Sequence, residues 1–201
     1  MDVYQAVEKR RSIRQFKDMT LSYTMLERCV DAARLAPSAM NCQLCEYVVV
    51  DDDKLLPEVL NTVNVWSGVP KPEGGWSPER RPKAYIVSLI NTELETELGA
   101  SRTNSYYDAG LAMENMVLVA LEQGLGSCVI SGIDRNRLRQ VLNIPPKYEI
   151  TIMLALGFAD ESPVLEVATG SVERWLDDKG VRHVPKRKLE NVIHRNRFPQ
   201  A

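Results

Sequence analysis

Histidine is nearly absent from this chain: of 201 residues only His183 and His194 are histidines, and both lie close to the C-terminus. That scarcity leaves no Ser/His/Asp or Cys/His constellation for nucleophilic catalysis. Cysteine is sparse too, four in uneven spacing, which makes no disulfide framework and points to a reducing compartment. No uncharged apolar run exceeds IMLALGFA (Ile152–Ala159). A membrane-spanning helix needs roughly 20 such residues, so no membrane partner is expected. The first residues form no apolar leader, and the expected localisation is cytoplasmic. There is no internal repeat and no low-complexity tract. No strand is followed by a GxGxxG or P-loop pattern, because Gly124-Leu125-Gly126 precedes a strand and reads as a helix stop.

What the chain does have is polarised charge. The formal net charge is −2. Residues 1–17 nevertheless carry five Lys/Arg against two acids, and residues 179–197 carry seven against one. The ends therefore sum to +9 and the middle to −11. KRRSIRQF (Lys9–Phe16) packs four cations into six positions. Like charges at that density repel unless an anion sits among them. A nucleic-acid partner is not expected, since its footprint is usually a whole basic face. Two short cationic segments suit one compact anion such as a phosphate.

An apolar content of 44% supports one well-buried domain or two small ones. The periodicity predicts a first helix in MDVYQAVEKRRS with a stripe of Val3, Ala6, Val7 and Arg10. A second runs from the N-cap Ser22 to Ala36, stopped by Pro37, and PSAMN (Pro37–Asn41) is a loop. Strands are predicted at Glu46–Val50, Ala84–Asn91, Cys128–Ser131 and Glu149–Gly157. Helices are predicted over DDDKLLPEVLNTV (Asp51–Val63), from Ser105 to Gln123, and from Asp134. The Ser105–Gln123 helix is apolar nearly all round and therefore central. Residues 64–83, with four prolines, three glycines and two tryptophans, form an irregular loop of the kind that serves as a lid. Residues 161–201 are a long tail with little core pattern.

Four segments occur in a family order: RRSIRQF, APSAMNCQ, YDAGLAMENMVLVALEQGLGSCVISG and HVPKRKLENVIHRNRF. Together they resemble the FMN-dependent nitroreductase family, in the branch of short members about the length of this chain. The resemblance implies an α+β fold: a three-layer sandwich with a mainly antiparallel central sheet flanked by helices. It also implies a single domain over residues 1–201, forming a homodimer with FMN at the interface. Residues 64–83 would be the lid, and residues 160–201 a domain-swapped tail packing on the partner subunit.

Carried over by position, the resemblance places Arg10 and Ser12 at the FMN phosphate and ribityl chain, with Arg11 adding backbone or charge. Lys186 and Arg187 would close on the same phosphate from the tail; guanidinium forks match phosphate oxygens well. Arg14 would face the pyrimidine edge of the flavin. Reduced flavin is negative near N1 and O2, so a fixed cation there raises the reduction potential. Pro37, Ser38 and Ala39 would reach the flavin from the second subunit through backbone and the Ser38 hydroxyl, with Asn41 and Gln43 as added polar contacts. Ile130, Ser131 and Gly132 would lay backbone amides against the N5–O4 edge. Trp66 and Trp76 would cover the flavin face and select acceptors.

Where the family usually continues Gln-Pro-Trp, this chain has Gln43-Leu44-Cys45. The departure creates a CxxC pair, Cys42 and Cys45. It precedes a strand instead of opening a helix, and no second CxxC or nearby histidine completes a metal site, so no metal is expected.

The implied activity is FMN-dependent reduction of electron-poor small molecules, such as nitroaromatics or quinones, with NAD(P)H as donor and ping-pong kinetics. Three alternatives stand beside it: a reductive dehalogenase-like enzyme on the same fold, a flavin-binding protein without turnover, and a phosphate- or nucleic-acid-binding module.

Overall fold

A computed structural model of the chain describes residues 1–66, 69–70 and 79–199. The chain forms two compact units, Met1–Asp160 and Glu161–Ala201.

The first unit is built around the run AYIVSLIN. Its apolar side chains occur on both faces, so it must be covered on both. Accordingly β4 (Ala84–Asn91) is buried over all but its last residue. It pairs antiparallel with β1 (Cys45–Val50) on one side and β6 (Tyr148–Gly157) on the other. β5 (Gly126–Ile130) pairs antiparallel with β6, giving the order β1-β4-β6-β5. Successive β4 residues point to opposite faces: Tyr85, Val87 and Leu89 enter one core, Ala84 and Ile86 the other.

One face is covered by α2 (Tyr23–Arg34) and α5 (Arg102–Glu122), through Leu26, Cys29 and Ala33 against Ala112, Met113, Met116 and Ala120. The other is covered by α3 (Leu55–Leu60) and α6 (Arg135–Val141), with Leu56, Val59 and Leu138. This is the three-layer α+β sandwich expected from the resemblance. α5 stops where Gly124 takes a left-handed φ of 78°. α3 is shorter than the segment predicted for it, and the aspartates at its start lie before the helix. α4 (Thr92–Glu97) was not foreseen, although its cap was legible: Asn91 accepts the Leu94 amide at 3.1 Å.

α1 (Val3–Lys9) opens on a capping box between Asp2 and Gln5 and packs against α5. Of its predicted stripe only Ala6 is buried; Val3 and Val7 are exposed. Beyond α1 the chain becomes an extended arm. Ile13 donates its amide to Ser127 O at 2.8 Å, Lys17 to Phe158 O at 2.9 Å, and Gln15 O accepts from the Asp160 amide at 2.8 Å. Two glycines opposed across β5 and β6, Gly126 and Gly157, make room for it. A Cβ at Gly126 would stand 2.9 Å from the Ile13 side chain, and one at Gly157 2.7 Å from the Phe16 ring. Gly126 is therefore no helix stop: it lets the cationic arm lie against the sheet end.

The second unit has its own three-stranded sheet, which its sparse apolar pattern did not announce. β7 (Val164–Val167) runs parallel to β9 (Arg182–Lys186), and β8 (Trp175–Leu176) antiparallel to it. Polar and ring contacts replace a core. Trp175 stacks on His183 at 3.9 Å between centroids, and both side chains hydrogen-bond to Glu166. Among the described residues no helix is long and apolar enough to cross a membrane.

Candidate functional site

The arm carries the first group of residues. Arg10 ends α1, and its Nε lies 3.5 Å from Glu114 Oε1 in a partly exposed ion pair. Such a pair contributes little and leaves the guanidinium available to a stronger anion. Arg11 turns back, donating to Glu8 O and Arg10 O at the C-terminal end of α1. Burial, and then the neighbouring Arg10 charge, push its pKa below the usual guanidinium range. Ser12 bridges to Ser127 at the start of β5. Arg14 donates from Nη1 to Ser12 O at 3.1 Å. That contact fixes Arg14 on the wall of a cavity of about 270 Å³ shared with Leu60, Trp66, Arg80, Arg81 and Pro82.

Trp66 belongs to β2 (Val65–Trp66), paired antiparallel with β3 (Val69–Pro70). Trp76 lies outside the described residues. The hairpin root is held by the end of β5. Asn64 donates its amide to Gly132 O at 2.8 Å, and a Cβ at Gly132 would stand 3.0 Å from Val65 Cβ. Gly132 is thus needed for close approach of the hairpin. Ile130 is buried and Ser131 exposed. Arg80 braces the far side of the cavity. It is left-handed at φ 56°, accepts the Phe16 amide, and its Nε is 2.7 Å from Asp160 Oδ2.

A second group forms around the loop after α2. Met40, Asn41 and Gln43 all have left-handed backbone, with φ of 51°, 55° and 51°. Residues with a Cβ in such conformations cost about 1–3 kcal/mol each and persist only where the surroundings dictate them. Here Ser38 Oγ donates to Asp108 Oδ2 at 2.8 Å, and the Ala39 amide lies 3.1 Å from both Asp108 oxygens. The Gln43 amide donates to Ser38 Oγ at 2.9 Å. Asp108, from α5, was not singled out in the sequence: it lies 70 residues from the loop it holds. Pro37, Ser38, Gln43 and Asp108 line a smaller cavity of about 130 Å³ with Cys45 and Tyr47. Among the described residues it shares no lining residue with the Arg14 cavity. Burial first, and then the Asp108 charge, push the Cys45 thiol up to about 11. A thiol held protonated in this way is a poor nucleophile.

Lys186 and Arg187 lie in the second unit, at the end of β9 and just past it. They line a hollow of about 470 Å³ with Arg174, Val184 and Val192. Arg187 Nη2 donates to Asn191 O. Among the described residues no group of three or more His, Cys, Asp or Glu could hold a metal ion.

The family model for the nitroreductase family matches residues 7–158. The chain belongs to the nitroreductase family. As a nitroreductase-family chain it is 27% identical over 178 residues to the protein DrgA of Synechocystis sp., covering 78% of this chain and 84% of that one. It is 26% identical over 203 residues to an NADPH-dependent oxidoreductase of Staphylococcus haemolyticus, covering 96% and 73%. Among solved structures, an FMN-dependent nitroreductase from Clostridium difficile superposes with a TM-score of 0.68 at 24% identity, covering 98% of this chain and 100% of that one. The NADPH:FMN oxidoreductase of Vibrio harveyi complexed with NAD+ superposes at 0.70 and 18%, covering 98% and 78%. At these identities the structural likenesses establish the nitroreductase fold.

Proposed function

We propose that this chain is an oxidoreductase that holds FMN and uses NAD(P)H to reduce small electron-poor acceptors such as nitroaromatics or quinones. The reading is carried by the arm, whose register against Gly126 and Gly157 sets Arg14 on the wall of a cavity that Trp66 shares. The residues present fit such a cofactor. A phosphate dianion needs cations that are not already committed, and Arg10, whose one ion pair among the described residues is the long Glu114 contact, offers one. A flat ring system needs an apolar and aromatic wall with a fixed cation at one edge, which Leu60, Trp66 and Arg14 supply.

Arg10 and Ser12 would hold the phosphate and ribityl chain. Arg14 would stabilise negative charge on the ring edge. Bound FMN supplies the hydride-accepting N5 that the protein lacks. No protein acid or base is needed, and donor and acceptor would use the same cleft in turn. The exposed Val3 and Tyr4 of α1 and Tyr107 and Leu111 of α5 support a homodimer, since two packed helices presenting that much apolar surface call for a cover.

The test is direct. Purified protein supplied with FMN should show flavin bands and oxidise NAD(P)H in the presence of a quinone or nitroaromatic, with parallel double-reciprocal plots. Protein that stays colourless after FMN is supplied and removed by gel filtration would refute the reading.

A further inference from the structure

Asp108 is 7% exposed, and among the described residues no Lys or Arg pairs with it. A buried carboxylate must find partners. Both of its donors, the Ser38 hydroxyl and the Ala39 amide, come from the loop after α2. Ser38 relays the hold to the loop's other end by accepting the Gln43 amide on the same Oγ. One carboxylate on the central helix therefore closes a turn in which Met40, Asn41 and Gln43 are left-handed without being glycine.

Two of the remaining amides are satisfied inside the turn. Asn41 donates to Ser38 O and Cys42 to Ala39 O. The Met40 N–H has no acceptor among the described residues, and Met40 is 71% exposed.

We infer that Asp108 is a positioning residue: it holds the 38–43 loop in its ligand-facing shape and keeps the Ser38 hydroxyl from donating to a ligand. The loop is then left to present the Met40 amide and the Asn41 side chain. The inference rests on the FMN reading above and revises the expected Ser38 contact. Asp108 would touch no reacting atom; it would act through the turn it closes.

Full-length Asp108→Ala, Asp108→Asn and Ser38→Ala proteins test it, with amide exchange measured before FMN is added and FMN dissociation constants measured by flavin fluorescence. Asp108→Ala should speed exchange at both Ala39 and Gln43 and weaken FMN binding roughly ten-fold or more. Asp108→Asn keeps an acceptor oxygen for the Ala39 amide and should rescue part of both effects. Ser38→Ala should speed exchange at Gln43 alone and weaken FMN less than Asp108→Ala does. If Asp108→Ala does not fold, the other two variants carry the comparison. Equal FMN affinity across all variants despite altered exchange would overturn the inference. So would a Ser38→Ala loss as large as that of Asp108→Ala with Ala39 still protected, because the hydroxyl would then be touching the ligand. A wild type that never takes up FMN would instead refute the proposed function, and the exchange pattern would still decide whether Asp108 holds the turn.

Discussion

Replacing Arg14 by alanine removes a guanidinium anchored 3.1 Å from Ser12 O on the cavity wall, while leaving the arm's backbone bonds intact. The variant should fold and take up FMN, and the bound flavin should become harder to reduce; a midpoint potential no lower than wild type would remove Arg14 from the redox step. Arg10→Ala should instead weaken FMN retention by about ten-fold, the usual effect of losing a charge-assisted hydrogen bond, as read by dialysis against buffer. The cationic residues were legible from sequence because uncompensated like charge is visible without a structure. The partners of Ser38 and Gly126 were not. Asp108 is remote along the chain, and the reason for Gly126 is the approach of Ile13, which only tertiary packing creates.

Among the elements, the arm and α5 make separable contributions. Gly157→Ala puts a methyl against the Phe16 ring at 2.7 Å and should destabilise the protein by about 1–3 kcal/mol, the usual range for overpacking, measured by urea unfolding. Met116, on α5, is fully buried against α2 and the sheet, and Met116→Ala should cost about 2–5 kcal/mol while leaving FMN affinity per folded molecule unchanged. Strands such as β4 could be read from sequence because they are buried on both faces and run mostly apolar, with Ser88 the one polar residue inside β4 before its final Asn91. The strands of the second unit could not: most of β7 and all of β8 face solvent, so no alternation betrays them. The Val3–Val7 stripe gave the α1 helix correctly, but only Ala6 of it is buried against the rest of the chain, and Val3 and Val7 stay exposed.

For the whole molecule, the buried Cys29 thiol and the half-buried Cys45 thiol set a limit on the alkaline side. Burial raises Cys29 and Cys45 from an ordinary 9.0 to about 11. The folded state thus keeps protons that the unfolded chain gives up. The two thiols leave stability unchanged below about pH 9 and lower it between about 9 and 11, by at most ~1.4 kcal/mol per pH unit for each thiol. Urea midpoints across that range should decline, and Cys29→Ala should flatten the slope; a midpoint independent of pH would refute the account. Sedimentation velocity tests the dimer, which a charged residue at Leu111 should split. The opposed glycines under the arm also act like a gap gauge. Filling Gly126 with successively larger side chains would shim the Arg14-bearing segment outward in small steps, altering where one positive charge sits without changing any group that meets the substrate.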